Sequence, residues 1–142
     1  MSKNSFMKKI GENAKFASMN LSKLNISKKN SVLKQFSKYL MINEKTILNA
    51  NKKDIFNAKS KRIKESMISR LKLSSEKISQ IRNSIDKIVK FKDPTYRTLS
   101  SWKRPNGLII KKISIPIGVI GIIYESRPNV TSDVSALCFK TG

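Results

Sequence analysis

The side chains best placed to do chemistry lie in one short stretch, Tyr124-Glu125-Ser126-Arg127-Pro128-Asn129. This stretch follows an apolar run and precedes a helical pattern. In open α/β sheets, ligands bind just outside the carboxyl ends of the strands. Pro128 suits a first helical turn, where unpaired backbone N–H groups can bind an anion. The residue types alone leave two interpretations open, a ligand site and a merely structural loop.

The run before this stretch, residues 117–123, reads IGVIGII. Apolar side chains at nearly every position predict a strand buried on both faces, as in a parallel sheet. Its two glycines do not form a GxGxxG fingerprint, so they do not indicate a dinucleotide site by themselves. A strand, a polar loop and a following helix form the half-unit from which nucleotide-binding α/β folds are built. Because residue 142 falls where that helix should end, we expect the opening part of a larger enzyme.

Residues 1–93 are predicted to form a helical segment that supports this half-unit. Asp93-Pro94 should end its last helix, because proline lacks the backbone N–H and restricts the residue before it. The first expected helix has an apolar stripe of Phe6, Ile10, Ala14, Ala17 and Leu21, and the second is capped by Ser27 and carries Val32, Leu33, Phe36 and Leu40. A third helix is expected from Asn43, with a restart at Asn51 and Asp54, followed by a turn around Met67, Ile68 and Leu71. The last helix is opened by Ser74 and carries Ile78, Ile81, Ile85 and Ile88.

Residues 95–115 are predicted to form a β-hairpin. Residues 98–101 and 108–115 are interpreted as its two strands, and Asn106-Gly107 supplies the positive-φ residues that a tight turn prefers. Neither face of the second strand is cleanly apolar. The hairpin is therefore expected at a sheet edge or against another subunit, or as an ordinary surface hairpin.

Composition sets further bounds. Thirty Lys and Arg against nine Asp and Glu give a net charge of +21 on 142 residues. Such a surplus is typical of proteins that bind nucleic acid or anionic membranes. The basic residues recur along the whole chain, however, and Asn and Ile are abundant, as in proteins from AT-rich genomes. A solvated basic surface, polyanion binding and the steering of anionic small ligands all remain open.

The remaining composition favours a cytoplasmic protein. The single cysteine, Cys138, excludes an internal disulfide and fits a reducing compartment. The N-terminus lacks the apolar core of a signal peptide, and the longest apolar run is about half of the ~20 residues that cross a bilayer. There is no histidine. We expect neither a metal site, nor a membrane partner, nor a specific nucleic-acid partner.

Three motifs together identify a resemblance that covers essentially the whole chain. They are Trp102-Lys103-Arg104-Pro105-Asn106-Gly107-Leu108, the run PIGVIGIIYESRPNVT at residues 116–131, and Leu137-Cys138-Phe139-Lys140-Thr141-Gly142. The segments ILNANKKDI at 47–55 and MISRLKL at 67–73 agree in order. With these motifs the chain resembles γ-glutamyl phosphate reductase, also called glutamate-5-semialdehyde dehydrogenase, of the aldehyde dehydrogenase superfamily.

The resemblance implies an α/β fold that corresponds to the N-terminal part of an aldehyde dehydrogenase. It has a helical segment (1–93), a β-hairpin (95–115), and then the first strand and helix (116–142) of an incomplete Rossmann-like NADP-binding domain. The implied reaction is the NADPH-dependent reduction of γ-glutamyl phosphate to glutamate 5-semialdehyde and phosphate, the second step of proline biosynthesis. The full-length enzyme is expected to be a homo-oligomer.

The resemblance also implies roles for the loop. Ile123, Tyr124, Glu125 and Ser126 would approach the nicotinamide half of the cofactor, and Arg127 or Asn129 would support the oxyanion of the substrate. In the family, a cysteine thiolate attacks the acyl phosphate, and the resulting thioester accepts hydride. That cysteine lies downstream in the family, and Cys138 matches a helix position that is expected to be structural.

The 142-residue chain alone is therefore expected to lack a catalytic domain and to be inactive. Two hypotheses from other classes remain, a basic helical nucleic-acid-binding module and a non-catalytic interaction fragment that pairs through the hairpin.

Overall fold

The computed structural model describes residues 3–142 and arranges them as helices with one two-stranded antiparallel sheet. None of the helices in this range combines the length and the apolarity that crossing a membrane requires. In chain order the elements are α1 (Lys3–Leu21), α2 (Ile26–Ile42), α3 (Glu44–Ser60), α4 (Glu65–Leu71), α5 (Ser75–Lys90), β1 (Thr98–Lys103), β2 (Ile109–Ile113) and α6 (Pro128–Thr141).

The core lies where α5 packs against α2 and α6. The isoleucine stripe predicted for α5 is confirmed, since Ile78, Ile81, Ile85 and Ile88 are all buried. Ile85 is completely inaccessible to solvent, and the cluster around it includes Leu33 of α2 and Ala136 of α6. Each fully buried isoleucine contributes about 2 kcal/mol to stability through removal of apolar surface from water. This core holds α6, and with it the start of α6, in place.

The helix starts agree only in part with the sequence prediction. Ser74 caps α5 as expected, its hydroxyl accepting a hydrogen bond from the Lys77 N–H at 3.3 Å. The prediction that Ser27 caps α2 is wrong. Asn25 caps it instead, its side-chain oxygen accepting from the Lys28 N–H at 2.9 Å. Both positions offer a short polar side chain, so residue type alone does not separate them.

The predicted restart of α3 at Asn51 is wrong, because α3 is continuous from Glu44 to Ser60. Asn51 is buried and serves a tertiary role. Its Nδ2 donates to the carbonyl oxygen of Leu71 at 2.9 Å, and its Oδ1 accepts from the N–H of Leu73 at 2.8 Å. One amide therefore ties the end of α4 to α3. The predicted turn around Met67 is in fact the short helix α4.

The last helix of the segment ends earlier than predicted. Its final residue is Lys90, followed by the extended cap Phe91, so Asp93-Pro94 lies beyond the helix instead of ending it. Asp93 has a different task, since its Oδ1 accepts hydrogen bonds from the N–H and the hydroxyl of Thr95 at 2.9 Å and 2.7 Å. This arrangement turns the chain toward the hairpin.

The hairpin is confirmed, but its strands and turn differ in detail. Trp102 and Lys103 belong to β1, where Trp102 pairs with Ile110. Of the Asn106-Gly107 pair only Gly107 has a positive φ, +86°. The Gly107 N–H donates to the Arg104 carbonyl at 2.9 Å, so Pro105 and Asn106 are the central turn residues and Gly107 is the left-handed residue after them.

The predicted strand at residues 117–123 is absent. The structure places neither helix nor strand there, and the side chains of Ile117 and Ile123 are 92% and 103% exposed. A strand exists only when a neighbouring backbone completes its hydrogen bonds, and no strand within residues 3–142 pairs with this run. The expectation of burial on both faces is therefore not met in this chain.

Candidate functional site: the start of α6

The loop that carries the candidate residues turns sharply into α6. Ser126 has a left-handed backbone with φ +54°, which is uncommon for a residue other than glycine. Arg127 is the N-cap residue, with φ −128° and ψ 95°, and its side chain makes no capping hydrogen bond. Pro128 occupies the first turn, which confirms its predicted place. No side chain caps this helix start, Pro128 has no N–H, and the Val130 N–H donates to the Arg127 carbonyl oxygen at 3.1 Å.

One hydroxyl pair fastens the loop to the helix. The hydroxyls of Tyr124 and Thr131 lie 2.5 Å apart, within strong hydrogen-bond distance. Thr131 lies one turn into α6, so the bond spans the sharp turn at Ser126. It holds the predicted cofactor-binding residues close to the predicted oxyanion residues.

The two oxyanion candidates differ in their surroundings. Both Arg127 and Asn129 are exposed. The Arg127 guanidinium has no hydrogen-bond or ion-pair partner among residues 3–142. Asn129 donates from Nδ2 to Oδ2 of Asp133 at 3.1 Å, whereas the other oxygen of Asp133 is buried without a hydrogen-bond partner in the described chain. The structure thus orients the Asn129 amide and leaves the Arg127 side chain unrestrained.

The predicted cofactor-binding residues form an open surface. The Ile123 side chain is fully exposed, Tyr124 and Glu125 are exposed, and Ser126 is half-buried. The structure therefore brings residues 123–129 together in one loop and helix start. Their roles toward a cofactor stay predictions.

Basic residues from α4, α5 and the connection between them also lie at the start of α6, and the sequence does not predict this. Arg70, Lys72 and Lys77 line a cavity of about 210 Å³ together with Asn129 and Asp133. More than fifty residues separate these two groups, and only the packing of α5 against α6 brings them together. No local sequence signal marks such a pairing.

Two buried lysines support the far end of α6. Lys29 of α2 and Lys140 of α6 are 0% and 1% exposed. Lys140 Nζ donates to Oδ1 of Asn30 at 2.6 Å and to the carbonyl oxygen of Val89 at 3.0 Å. Lys29 Nζ lies 3.5 Å from the Thr95 hydroxyl and 3.9 Å from Oδ2 of Asp93. These contacts join α2, α5 and the segment before the hairpin to α6.

Asp93 is the acid that balances this pair. Burial disfavours its ionised form, but hydrogen bonds from Thr95 and the charges of Lys29 and Lys140 outweigh burial and hold the pKa of Asp93 below its usual value. Burial, together with the charge of Lys29, lowers the pKa of Lys140, although Asp93 opposes that change. The two lysines, Lys29 and Lys140, thus have Asp93 as their one negatively charged neighbour in these contacts.

Cys138 lies away from the loop. It is a half-buried free cysteine in a largely apolar cavity of about 530 Å³ that α1, α6 and residues 115–120 enclose. Its structural role stays a prediction. Among residues 3–142 no group of three or more cysteine or acidic residues lies where it could hold a metal ion.

Comparison with known proteins identifies the fold. No family model matches the chain. It is 42% identical over 136 residues to the gamma-glutamyl phosphate reductase of Desulforamulus reducens, covering 96% of this chain and 33% of that protein. The corresponding reductase of Sulfurimonas denitrificans is 45% identical over 135 residues. The chain spans about a third of the length of these curated relatives.

Two solved structures that are similar to this chain are of the same enzyme as the curated relatives. The crystal structure of gamma-glutamyl phosphate reductase from Thermotoga maritima superposes with a TM-score of 0.89 at 35% identity, covering 92% of this chain and 31% of that one. The chain matches the N-terminal part of gamma-glutamyl phosphate reductase structures and covers about a third of them. The Saccharomyces cerevisiae reductase gives a TM-score of 0.90 at 27% identity, over 99% of this chain and 35% of that one. The helical segment, the hairpin and α6 are therefore arranged as in these solved structures.

Proposed function

We propose that this chain supplies the N-terminal, partial NADP-binding part of a gamma-glutamyl phosphate reductase. The reaction is the NADPH-dependent reduction of γ-glutamyl phosphate to glutamate 5-semialdehyde with release of phosphate, in proline biosynthesis. The observation that carries the proposal is the structural match, which includes nearly the whole chain at TM-scores of 0.89 and 0.90. In this proposal the full-length enzyme is a cytoplasmic homo-oligomer.

The loop and the start of α6 suit a site between cofactor and substrate. The exposed Ile123 side chain and the open loop at 124–126 leave room for a flat ring to lie against them. When bound, NADPH supplies the hydride. Its nicotinamide half is positioned by Ile123, Tyr124, Glu125 and Ser126. The hydrogen bond between the Tyr124 and Thr131 hydroxyls holds this loop against α6.

Arg127 and Asn129 provide hydrogen-bond donors where negative charge develops on the substrate carbonyl. Donors that are fixed before the reaction stabilise such an oxyanion without reorganisation. Asn129 meets this requirement better, since its amide is already oriented by Asp133. The covalent step needs a thiolate from outside this chain, because Cys138 lies on α6 in a separate apolar cavity. The 142-residue chain by itself is therefore inactive.

The test joins this chain to the C-terminal two-thirds of the Thermotoga maritima reductase. In the fusion, Asn129→Ala should lower kcat for phosphate-dependent oxidation of glutamate 5-semialdehyde by roughly a hundredfold, as expected for loss of one oxyanion donor. Arg127→Met should have a smaller effect. Matched controls are Asn49→Ala at an exposed position of α3 and Arg104→Met at the hairpin turn. An unchanged kcat in Asn129→Ala would contradict the oxyanion role.

A further inference from the structure

The cavity beside the start of α6 is lined by groups of opposite charge. Arg70, Lys72 and Lys77 come from α4, the α4–α5 connection and α5, whereas Asn129 and Asp133 come from α6. The volume of about 210 Å³ admits a small organic molecule rather than a single ion. The cavity directly adjoins Asn129, one of the two proposed oxyanion donors.

Much of the charge here is not used within the described chain. The side chains of Arg70 and Lys72 make no hydrogen bond or ion pair within residues 3–142, while Lys77 Nζ donates to the Lys72 carbonyl at 2.6 Å. Asp133 receives one hydrogen bond, from Asn129, and its other oxygen has no partner in the same range. Cationic donors and a carboxylate therefore line the same small space, and the unpartnered oxygen of Asp133 is itself buried.

The cavity also has an apolar part. Leu73, Ile81 and Pro128 contribute to its lining, and Ile81 is itself part of the buried core. Apolar side chains at this place favour methylene groups over water. A ligand that matches the whole cavity thus carries a carboxylate, an ammonium group and a short aliphatic segment.

We propose that this cavity binds the α-amino-acid end of a glutamyl substrate. The α-carboxylate binds among Arg70, Lys72 and Lys77, the α-ammonium group binds Asp133, and the methylenes lie against Leu73 and Ile81. The assignment deepens the proposed function and rests on it. Inorganic phosphate fits the cations but not Asp133, whose negative charge repels a dianion.

This placement gives Asn129 two simultaneous tasks. The amide nitrogen carries two N–H donors, and only one of them is used by Asp133. The second is free for the γ-carbonyl of a substrate whose amino-acid end lies in the cavity. Arg127 does not line this cavity. The cavity therefore assigns the oxyanion donor to Asn129.

Saturation-transfer NMR on the 142-residue chain tests the assignment with L-glutamate, glutarate and inorganic phosphate as probes. Glutarate lacks the ammonium group and should bind roughly tenfold more weakly than L-glutamate. Asp133→Asn should remove that preference, and Arg70→Gln should weaken both dicarboxylates. Matched controls are Asp86→Asn and Arg104→Gln, which are exposed and outside the cavity, and circular dichroism checks that each variant keeps its helices.

The outcomes separate this inference from the proposed function. Absence of L-glutamate binding, equal binding of glutarate, or stronger binding of phosphate would each overturn the inference, even if the fusion enzyme is active. Preference for L-glutamate that depends on Asp133 would support it, even if the fusion enzyme shows no reductase activity. In an active fusion, Asp133→Asn should raise KM for glutamate 5-semialdehyde and leave KM for NADP unchanged.

Discussion

Replacing Asp93 by asparagine removes the negative charge that balances two buried lysines. The asparagine side chain keeps an oxygen that can accept the two hydrogen bonds from Thr95, so the substitution changes charge more than contacts. Lys29 and Lys140 would then stay buried without the Asp93 carboxylate, whose Oδ2 lies 3.9 Å from Lys29 Nζ. Breaking a buried ion pair by removing one partner costs about 3–5 kcal/mol. Because Asp93 keeps 24% side-chain exposure, we expect the lower end of this range, about 3 kcal/mol.

The assay is urea unfolding followed by circular dichroism at neutral pH. With an m value of about 2 kcal/mol/M, the expected loss lowers the unfolding midpoint by about 1.5 M. The matched control is Asp86→Asn, which removes an exposed acid from α5 and should change the free energy of unfolding by less than about 0.5 kcal/mol. If Asp93→Asn is no more destabilising than the control, the account of the buried charges is wrong.

The pH dependence gives a second readout of the same substitution. The pKa of Lys140 is lower in the folded state than its ordinary value, so the unfolded chain binds more protons as pH rises between the two values. Stability contributed by this group therefore increases with pH in that alkaline window. Asp93 holds the pKa of Lys140 up, so the variant should recover stability at alkaline pH more than the original chain does. The lowered pKa of Asp93 has the complementary effect in acid, where its contribution is lost as pH falls through the folded value.

Three further predictions concern other parts of the molecule. Asn51→Ala should destabilise the chain by about 2 kcal/mol, because it leaves the Leu71 carbonyl and the Leu73 N–H unpaired, and urea unfolding against Asn49→Ala measures this. Gly107→Ala should cost about 1 kcal/mol in the same assay, because φ +86° strains any residue with a Cβ, and a wild-type midpoint would refute the turn assignment. The net charge of +21 should give DNA binding that is independent of sequence and steeply lost with salt in gel-shift titrations, whereas tight sequence-specific binding at physiological salt would favour the nucleic-acid-binding hypothesis.

The helices were largely predictable because their signals are local. The isoleucine stripe of α5 and its Ser74 cap follow from spacing and side-chain chemistry within a few residues, and both are confirmed. The errors occurred where tertiary contacts override local signals. Asn51 has the residue type of a helix cap, but its hydrogen bonds to Leu71 and Leu73 are made across twenty residues of chain.

In the run at residues 117–123, a clear local signal for a strand is not realised in the structure. Its composition is typical of a buried strand, but a strand is a property of the sheet that surrounds it, and the described residues offer it no partner. Its exposed isoleucines are therefore not a sign of a weak pattern. The sequence indicates that this run can form a strand when a neighbouring strand pairs with it, whereas the described structure contains no such neighbour.

The candidate site likewise contains residues that the sequence predicts and residues that only tertiary packing brings together. Residues 123–129 are consecutive, so one motif was enough to place them together at a helix start. The cations of the neighbouring cavity, Arg70, Lys72 and Lys77, belong to other elements and look like ordinary surface residues in sequence. Only the packing of α5 on α6 places them beside Asn129.

The most direct test of the central claim is whether this chain can serve as the N-terminal third of an active reductase. The measurement is phosphate-dependent NADP reduction with glutamate 5-semialdehyde, for the fusion to the C-terminal two-thirds of the Thermotoga maritima reductase and for each part alone. We expect activity in the fusion and none in either part. A folded fusion without activity, or clear activity of the 142-residue chain alone, would contradict this expectation.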